Sequence, residues 1–261
     1  PLIAAEKAGV ARRGVPIVSG VPAGTGAGRA IAATAKAKGA PVLFAGRDFR
    51  IRTGEPTLGP DGPVTPATAV APDGTRIALR PAVLGRALAR DVALAAVTLS
   101  LPRVRRKLPV APAAMATGAA AMSMPGRLQV LPGRPLVLVD GAHHPDAARV
   151  LAETIQACLP SRRVVAILGG GIDKGLPAIA AALERLDRPV RFIFTRPATH
   201  PRAADPEALA AGRRNARWTP DLRAAMATAR KLAARDDLIV VSGSLYLAGE
   251  ALAHEAVTPT P

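Results

Sequence analysis

Short apolar runs alternate along this chain with stretches of helical periodicity. In the later half the runs at 136–139 (LVLV), 163–168 (RVVAIL), 190–194 (VRFIF) and 238–242 (LIVVS) are almost continuous in Val, Ile, Leu and Phe. That is the pattern of strands covered on both faces in a parallel sheet. Between and after them, residues 145–158, 176–186, 205–212, 220–234 and a last segment from about Leu245 place apolar residues three and four apart, which predicts helices. A short piece near Trp218 interrupts the series, and Trp218 is expected to pack in the core or under a loop. Regular strand–helix alternation predicts a Rossmann-like three-layer α/β domain with a mostly parallel sheet.

The earlier half is less regular. VPIVS (15–19), a glycine-rich turn, the helical GRAIAATAKAKG (28–39) and PVLFAG (41–46) give a βαβ rhythm and therefore parallel pairing. Two Pro-Asp-Gly turns, at 60–62 and 72–74, punctuate Thr- and Val-rich pieces as an edge hairpin requires. The helical ALARDVALAAVTLSL (87–101) closes a first domain, spanning 1–101. Residues 102–124, basic, Pro-containing and then Ala-rich, are expected to be a linker, and 125–261 a second domain.

Composition adjusts this picture in three places. Aromatic residues make up 2% of the chain, so the core must be built from Ala, Val, Leu and Ile. Cys158 is the single cysteine and lies on a predicted helix; it is read as a small core residue, with no internal disulfide and a reducing compartment implied. Apolar runs are broken well before the ~18 residues of a membrane span, so a soluble cytoplasmic protein is expected. The chain opens on Pro1 inside the helix-like LIAAEKAGV, from which an upstream part is expected.

Charge narrows the partner without choosing it. There are 17 Lys or Arg against 6 Asp or Glu up to residue 124, and 18 against 13 after it. A basic surface raises encounter rates with anions such as nucleotides, polycarboxylates or nucleic acid. Nucleic acid is disfavoured, because so few aromatic rings leave few stacking platforms for bases.

The segment LVLVDGAHHPDA (136–147) carries the clearest candidate chemistry. A strand there delivers Asp140, His143 and His144 into a strand-to-helix crossover, and ligand crevices of open α/β sheets lie at such carboxyl ends. The bland alternative is a helix cap with two surface histidines. GTGAG (24–28) has the third glycine too early for a dinucleotide fingerprint and is read as a turn with a helix start. GGGIDKG (169–175), with Asp173 and Lys174, serves equally as a nucleotide border or a plain connection. Ser242 and Ser244 follow a strand, and aim hydroxyls at an anionic ligand or cap the next helix. His200 and His254 have no metal-ligand spacing and are read as surface residues.

EKAGV (6–10), GRDF (46–49), MPGR (124–127), LVDGAHHPDA, GGIDKG and VSGSLYLAGE, in this order over nearly the whole chain, resemble folylpolyglutamate synthase/dihydrofolate synthase of the Mur ligase superfamily. The resemblance implies the later part of a central ATPase domain followed by a Rossmann-like carboxy-terminal domain, the P-loop part lying upstream. It implies an ATP- and Mg²⁺-dependent ligase that activates folate or dihydropteroate as an acyl phosphate, which L-glutamate attacks. By the same resemblance Lys7 is the lysine that becomes carbamylated and helps hold Mg²⁺, and Arg127 reaches the ATP phosphates. Asp140 stands near the ribose, His143 acts in catalysis or glutamate placement, and Ser242 and Ser244 are candidates for the incoming amino acid. A monomer without a membrane partner is expected.

Four positions depart from the family pattern. The Asn of DGAHNP is His144, and Ala87–Leu88 and Asp91 replace His-Gln and a later Asn, which touches adenine recognition. The alternatives are another Mur-type amino-acid ligase, and a non-catalytic protein that binds folate or nucleotide.

Overall fold

Two units make up the chain in this computed structural model, which describes residues 1–173 and 175–257. The first unit comprises Pro1–Pro56 and Val64–Met122; the second takes in Thr57–Pro63 and the residues from Ser123 onward.

In the first unit α1 (Leu2–Ala8) precedes β1 (Ile17–Ser19), α2 (Gly26–Ala37) and β2 (Val42–Phe44), and β1 and β2 pair in parallel as the βαβ rhythm requires. Thr25 caps α2 by accepting the Gly28 N–H at 2.9 Å, so GTGAG is a turn and helix start. β3 (Arg50–Thr53) follows. The short hairpin β4 (Thr57–Gly59) and β5 (Gly62–Val64) interrupts the first unit, its residues up to Pro63 being counted with the second unit, and its turn is the first Pro-Asp-Gly. β6 (Ala67–Val70) and β7 (Arg76–Leu79) turn back at the second and form an antiparallel sheet with β3, in the order β3-β6-β7. α3 (Arg86–Ser100) lays Ala89, Ala93, Ala96 and Val97 on that sheet; small side chains at this spacing let helix and sheet approach closely.

The stretch 102–124 corrects the expectation of a linker. It forms α4 (Pro102–Arg105) and α5 (Pro112–Ala120), each with Pro in its first turn, where the missing N–H costs nothing. α5 buries Met115 and Ala119 in the same core as Ile77 and Leu79. Its alanines, which looked like connector composition, are good helix formers.

The second unit holds β8 (Gln129–Leu131), β9 (Leu136–Val139), α6 (Pro145–Cys158), β10 (Val164–Leu168), α7 (Leu176–Leu183) and β11 (Val190–Phe194). α8 (Pro206–Ala210), β12 (Ala216–Trp218), α9 (Leu222–Leu232), β13 (Leu238–Ser242) and α10 (Leu245–Val257) complete it. The sheet order is β12-β11-β10-β13-β9-β8, parallel except for β8, which runs antiparallel to β9. Val165, Ile167, Ile193, Ile239 and Val241 pack under Leu222, Met226, Leu247 and Ala251 of α9 and α10. The alternate positions Val164, Ala166, Leu168 and Val240 are equally buried, as are Leu151 and Ile155 of α6 and Ile179 and Leu183 of α7. Both faces are therefore covered, and each such aliphatic side chain contributes about 1.5–3 kcal/mol of burial.

Trp218 departs from its expected place. It closes the edge strand β12 and is 46% exposed, because an edge strand has a neighbour on one side only. Cys158 is half-buried at the end of α6. No described helix is long and apolar enough to cross a membrane.

Candidate active site at the carboxyl ends of the second sheet

Four parallel strands of the second unit end on one rim. Beyond β9 lie Gly141, Ala142 and His143; beyond β10, Gly169 and Gly170; beyond β11, Thr195; beyond β13, Gly243. The glycines are there because backbone crowds backbone. A Cβ on Gly170 would sit 2.6 Å from the Gly243 carbonyl oxygen, and one on Gly243 2.6 Å from the Gly169 oxygen. Gly243 also holds φ +115°, a conformation that L side chains resist.

Arg127, Asp140 and His143 gather at this rim. Asp140 is 8% exposed and accepts the Leu128 N–H at Oδ2 (2.8 Å) and the Ala142 N–H at Oδ1 (2.8 Å). Burial pushes its carboxyl above the ordinary range, opposed by those two N–H groups and by the nearby charges of Arg127 and His143. The Arg127 guanidinium makes no hydrogen bond or ion pair among the described residues. It lies over Gly141, where a Cβ would come within 2.7 Å of Nη1. His143 is half-buried, with Nδ1 2.8 Å from the Gly141 carbonyl oxygen. A carbonyl only accepts, so Nδ1 carries a proton toward it, and Nε2 has no partner among the described residues.

His144 does something else. Its Nδ1 accepts the Ala147 N–H at 3.2 Å and caps α6, supplying the acceptor half of the amide that an Asn would offer there. Its ring meets that of His143 edge-on at 5.2 Å.

The serine pair makes contacts within the rim. Ser242 is fully buried with Oγ 3.5 Å from the Ala142 carbonyl, and Ser244, 3% exposed, accepts the Leu247 N–H at 3.1 Å as the cap of α10. Both hydroxyls contact the backbone. In the GGGIDKG turn, Gly171 bridges to Ala203, and Asp173 meets Arg202 at 3.4 Å, while Lys174 lies outside the described residues. His200 is not a plain surface residue: it is half-buried, with its ring 4.8 Å from that of Tyr246, and its Nδ1 accepts the Arg202 N–H at 3.1 Å. Loop closure from residue 194 to 204 makes that pairing, and no local pattern announces it.

Lys7 belongs to the first unit, on α1, where Nζ meets Glu6 Oε1 at 3.2 Å with both side chains largely exposed. Among the described residues no group of three or more His, Cys, Asp or Glu is placed to hold a metal ion. A phosphate is different, because a guanidinium without a partner among the described residues matches its charge and shape. A cavity of about 650 Å³ between α6 and α7 is lined by Arg149 and Gln156, which are bonded to Glu153 and Asp187, and by an exposed Arg185.

This sheet and rim define a ligase-type α/β domain. Residues 126–245 match the family described as Mur ligase, glutamate ligase domain, and this part of the chain is a Mur ligase carboxy-terminal domain. Over 251 residues the chain is 32% identical to the folylpolyglutamate synthase of Lacticaseibacillus casei, covering 94% of this chain and 55% of that protein. Among solved structures it resembles Mycobacterium tuberculosis folylpolyglutamate synthase complexed with ADP and AMPPCP, at 27% identity and a TM-score of 0.81, over 99% of this chain and 59% of that one. The bifunctional folylpolyglutamate synthase/dihydrofolate synthase of Yersinia pestis, complexed with AMPPNP and Mn ion, gives 28% identity and a TM-score of 0.73 over 98% and 56%. The chain thus spans a little over half the length of these relatives.

Proposed function

We propose that this chain is part of an ATP-dependent ligase that joins L-glutamate to folate, to dihydropteroate, or to both. The observation that carries this reading is the pairing, on one strand end, of an unconsumed Arg127 guanidinium with a His143 whose Nε2 is free. ATP, when bound, supplies the phosphoryl group that activates the acid carboxylate for attack by an amine. Arg127 holds phosphate oxygens through its planar fork and offsets the negative charge that grows on them. Asp140 stands on the nucleotide side. His143, oriented by the Gly141 carbonyl, takes the proton that the incoming ammonium must lose before it becomes a nucleophile. The half-buried His200–Tyr246 pair and Arg202 offer the polar wall against which the amino acid's carboxylates rest. Lys7 remains the candidate for carbamylation from the first unit.

The test is glutamate-dependent phosphate release from ATP with folate or dihydropteroate as acceptor. Release that needs both glutamate and the pterin acid supports the reading. Release with a different amino acid moves the protein to another Mur-type ligase. Asp91 in place of the family's Asn favours a second reading, a folate- or nucleotide-binding protein without turnover, and ATP binding with no release would select it.

A further inference from the structure

The loop 195–205, between β11 and α8, has no regular structure and carries both His200 and Arg202. Backbone bonds hold its two ends. The Thr195 N–H reaches the Leu168 carbonyl at 2.9 Å, and the Ala204 N–H reaches the Gly170 carbonyl at 2.8 Å. The Arg202 carbonyl accepts the Ile172 N–H at 3.0 Å. The tip has a different anchor. Glu250 Oε1 accepts both the Thr199 N–H, at 2.9 Å, and the Thr199 hydroxyl, at 2.8 Å.

Glu250 lies four residues after Tyr246 on α10, so the two side chains leave one face of the helix a turn apart. They meet consecutive loop residues: Glu250 holds Thr199, and the Tyr246 ring meets the His200 ring edge-on. α10 is a firm base for both, since Leu247, Ala248 and Ala251 are buried against the sheet. The His200 ring also crowds Gly171, where a Cβ would come 2.7 Å from Cε1. Held in this way, its Nδ1 is in place to accept the Arg202 N–H. We propose that Glu250 is a positioning residue: by holding Thr199 it sets His200 and Arg202 in the wall that takes the carboxylates of the incoming amino acid. This rests on the reading of that wall as the amino-acid site. Glu250 is itself an anion, so its field alone repels such a ligand. Removing only the charge would therefore tighten binding, whereas loosening the tip weakens it.

The experiment titrates L-glutamate and, separately, ATP into this chain, followed by NMR, for the wild type, Glu250→Gln and Glu250→Ala. Positioning predicts that Glu250→Ala weakens L-glutamate about tenfold, the worth of one charge-assisted hydrogen bond. Glu250→Gln keeps an acceptor oxygen and weakens it less. ATP binds all three alike, which a general loss of folding would not allow. Glu250→Ala that binds L-glutamate as tightly as the wild type, or more tightly, overturns the proposal. Thr199→Val, which removes only the hydroxyl donor, takes the place of Glu250→Ala if that variant does not fold, with the same direction expected. Should the wild type bind no L-glutamate, the amino-acid reading of the wall fails by itself, and amide exchange decides the positioning claim. Faster exchange in Glu250→Ala at both Thr199 and Arg202, with Thr195 unchanged, supports it, because the Arg202 N–H is held by His200. Unchanged exchange at Arg202 overturns it.

Discussion

The two ends of the second unit's sheet are built from the same strands and solve opposite problems. Where β10, β11, β12 and β13 start, charged side chains are spent on one another. Arg163 grips Asp237 at 2.7 Å, Arg188 meets Asp187 at 2.8 Å and the Leu159 carbonyl at 2.9 Å, and Arg213 meets Glu184 at 2.8 Å. Where the strands finish, glycines line the rim and the Arg127 fork and His143 Nε2 stay uncommitted. Ion pairs at one end hold loops in place, whereas open donors and acceptors at the other cost stability unless a ligand uses them. The same residue type, arginine, is ion-paired at one end and left without a partner among the described residues at the other. What separates the two is whether a carboxylate stands within reach.

The strongest way to break this comparison is Gly243→Ala. A Cβ there meets the Gly169 backbone oxygen at 2.6 Å and nitrogen at 2.9 Å, with φ at +115°. Denaturant unfolding should show a loss of about 4 kcal/mol, at the upper end for a single substitution. A neutral result would mean that the rim has room for side chains, and the glycines would then need another explanation.

A reciprocal pair sharpens it. Arg127→Ala should cost ATP binding about a hundredfold, or ~2.7 kcal/mol, while unfolding moves by less than ~0.5 kcal/mol. Arg163→Met should do the reverse, lowering stability because it leaves the buried Asp237 carboxylate without its partner, with ATP affinity unchanged. Burial alone would push the Asp237 carboxyl up, but the Arg163 fork, the Ala234 N–H and Arg162 outweigh it and hold it below the ordinary range. Its folded value being lowered, the pair's contribution is present above the ordinary carboxylate range and is lost as pH falls through the lowered value. Stability curves of wild type and Arg163→Met should therefore converge on acidification.

Much of this was legible in the sequence, for stated reasons. The continuous apolar runs identified β9, β10, β11 and β13, since strands buried on both faces have no polar alternation to confuse them. Asp140 and His143 were visible because a carboxylate and an imidazole directly after such a run have nowhere to go but the strand ends. What escaped was decided by tertiary contact. α5 hid in a stretch whose alanines read equally as helix or connector, until Met115 and Ala119 met the β7 core. The left-handed Leu128 (φ +45°) has no signature, because its N–H is held by Asp140, 12 residues further along the chain. Nor does composition reveal that the Ser242 and Ser244 hydroxyls contact the backbone.

The smallest expected effect falls on the boundary between the two kinds of end. His144 sits on the rim, yet it behaves like the structural side: its Nδ1 is spent on the Ala147 N–H at 3.2 Å. An imidazole caps a helix only in its neutral form and with a ring that must be held edge-on, whereas an Asn oxygen ranks among the best caps at any protonation state of its surroundings. His144→Asn should therefore raise unfolding stability by about 0.5 kcal/mol and leave ATP affinity where it was, while His144→Ala should lower stability by about 1 kcal/mol. If His144→Asn instead changed ATP affinity without changing stability, the ring would count among the uncommitted groups of the rim. The line between spent and free side chains would then run one residue further along the crossover, between His144 and Pro145.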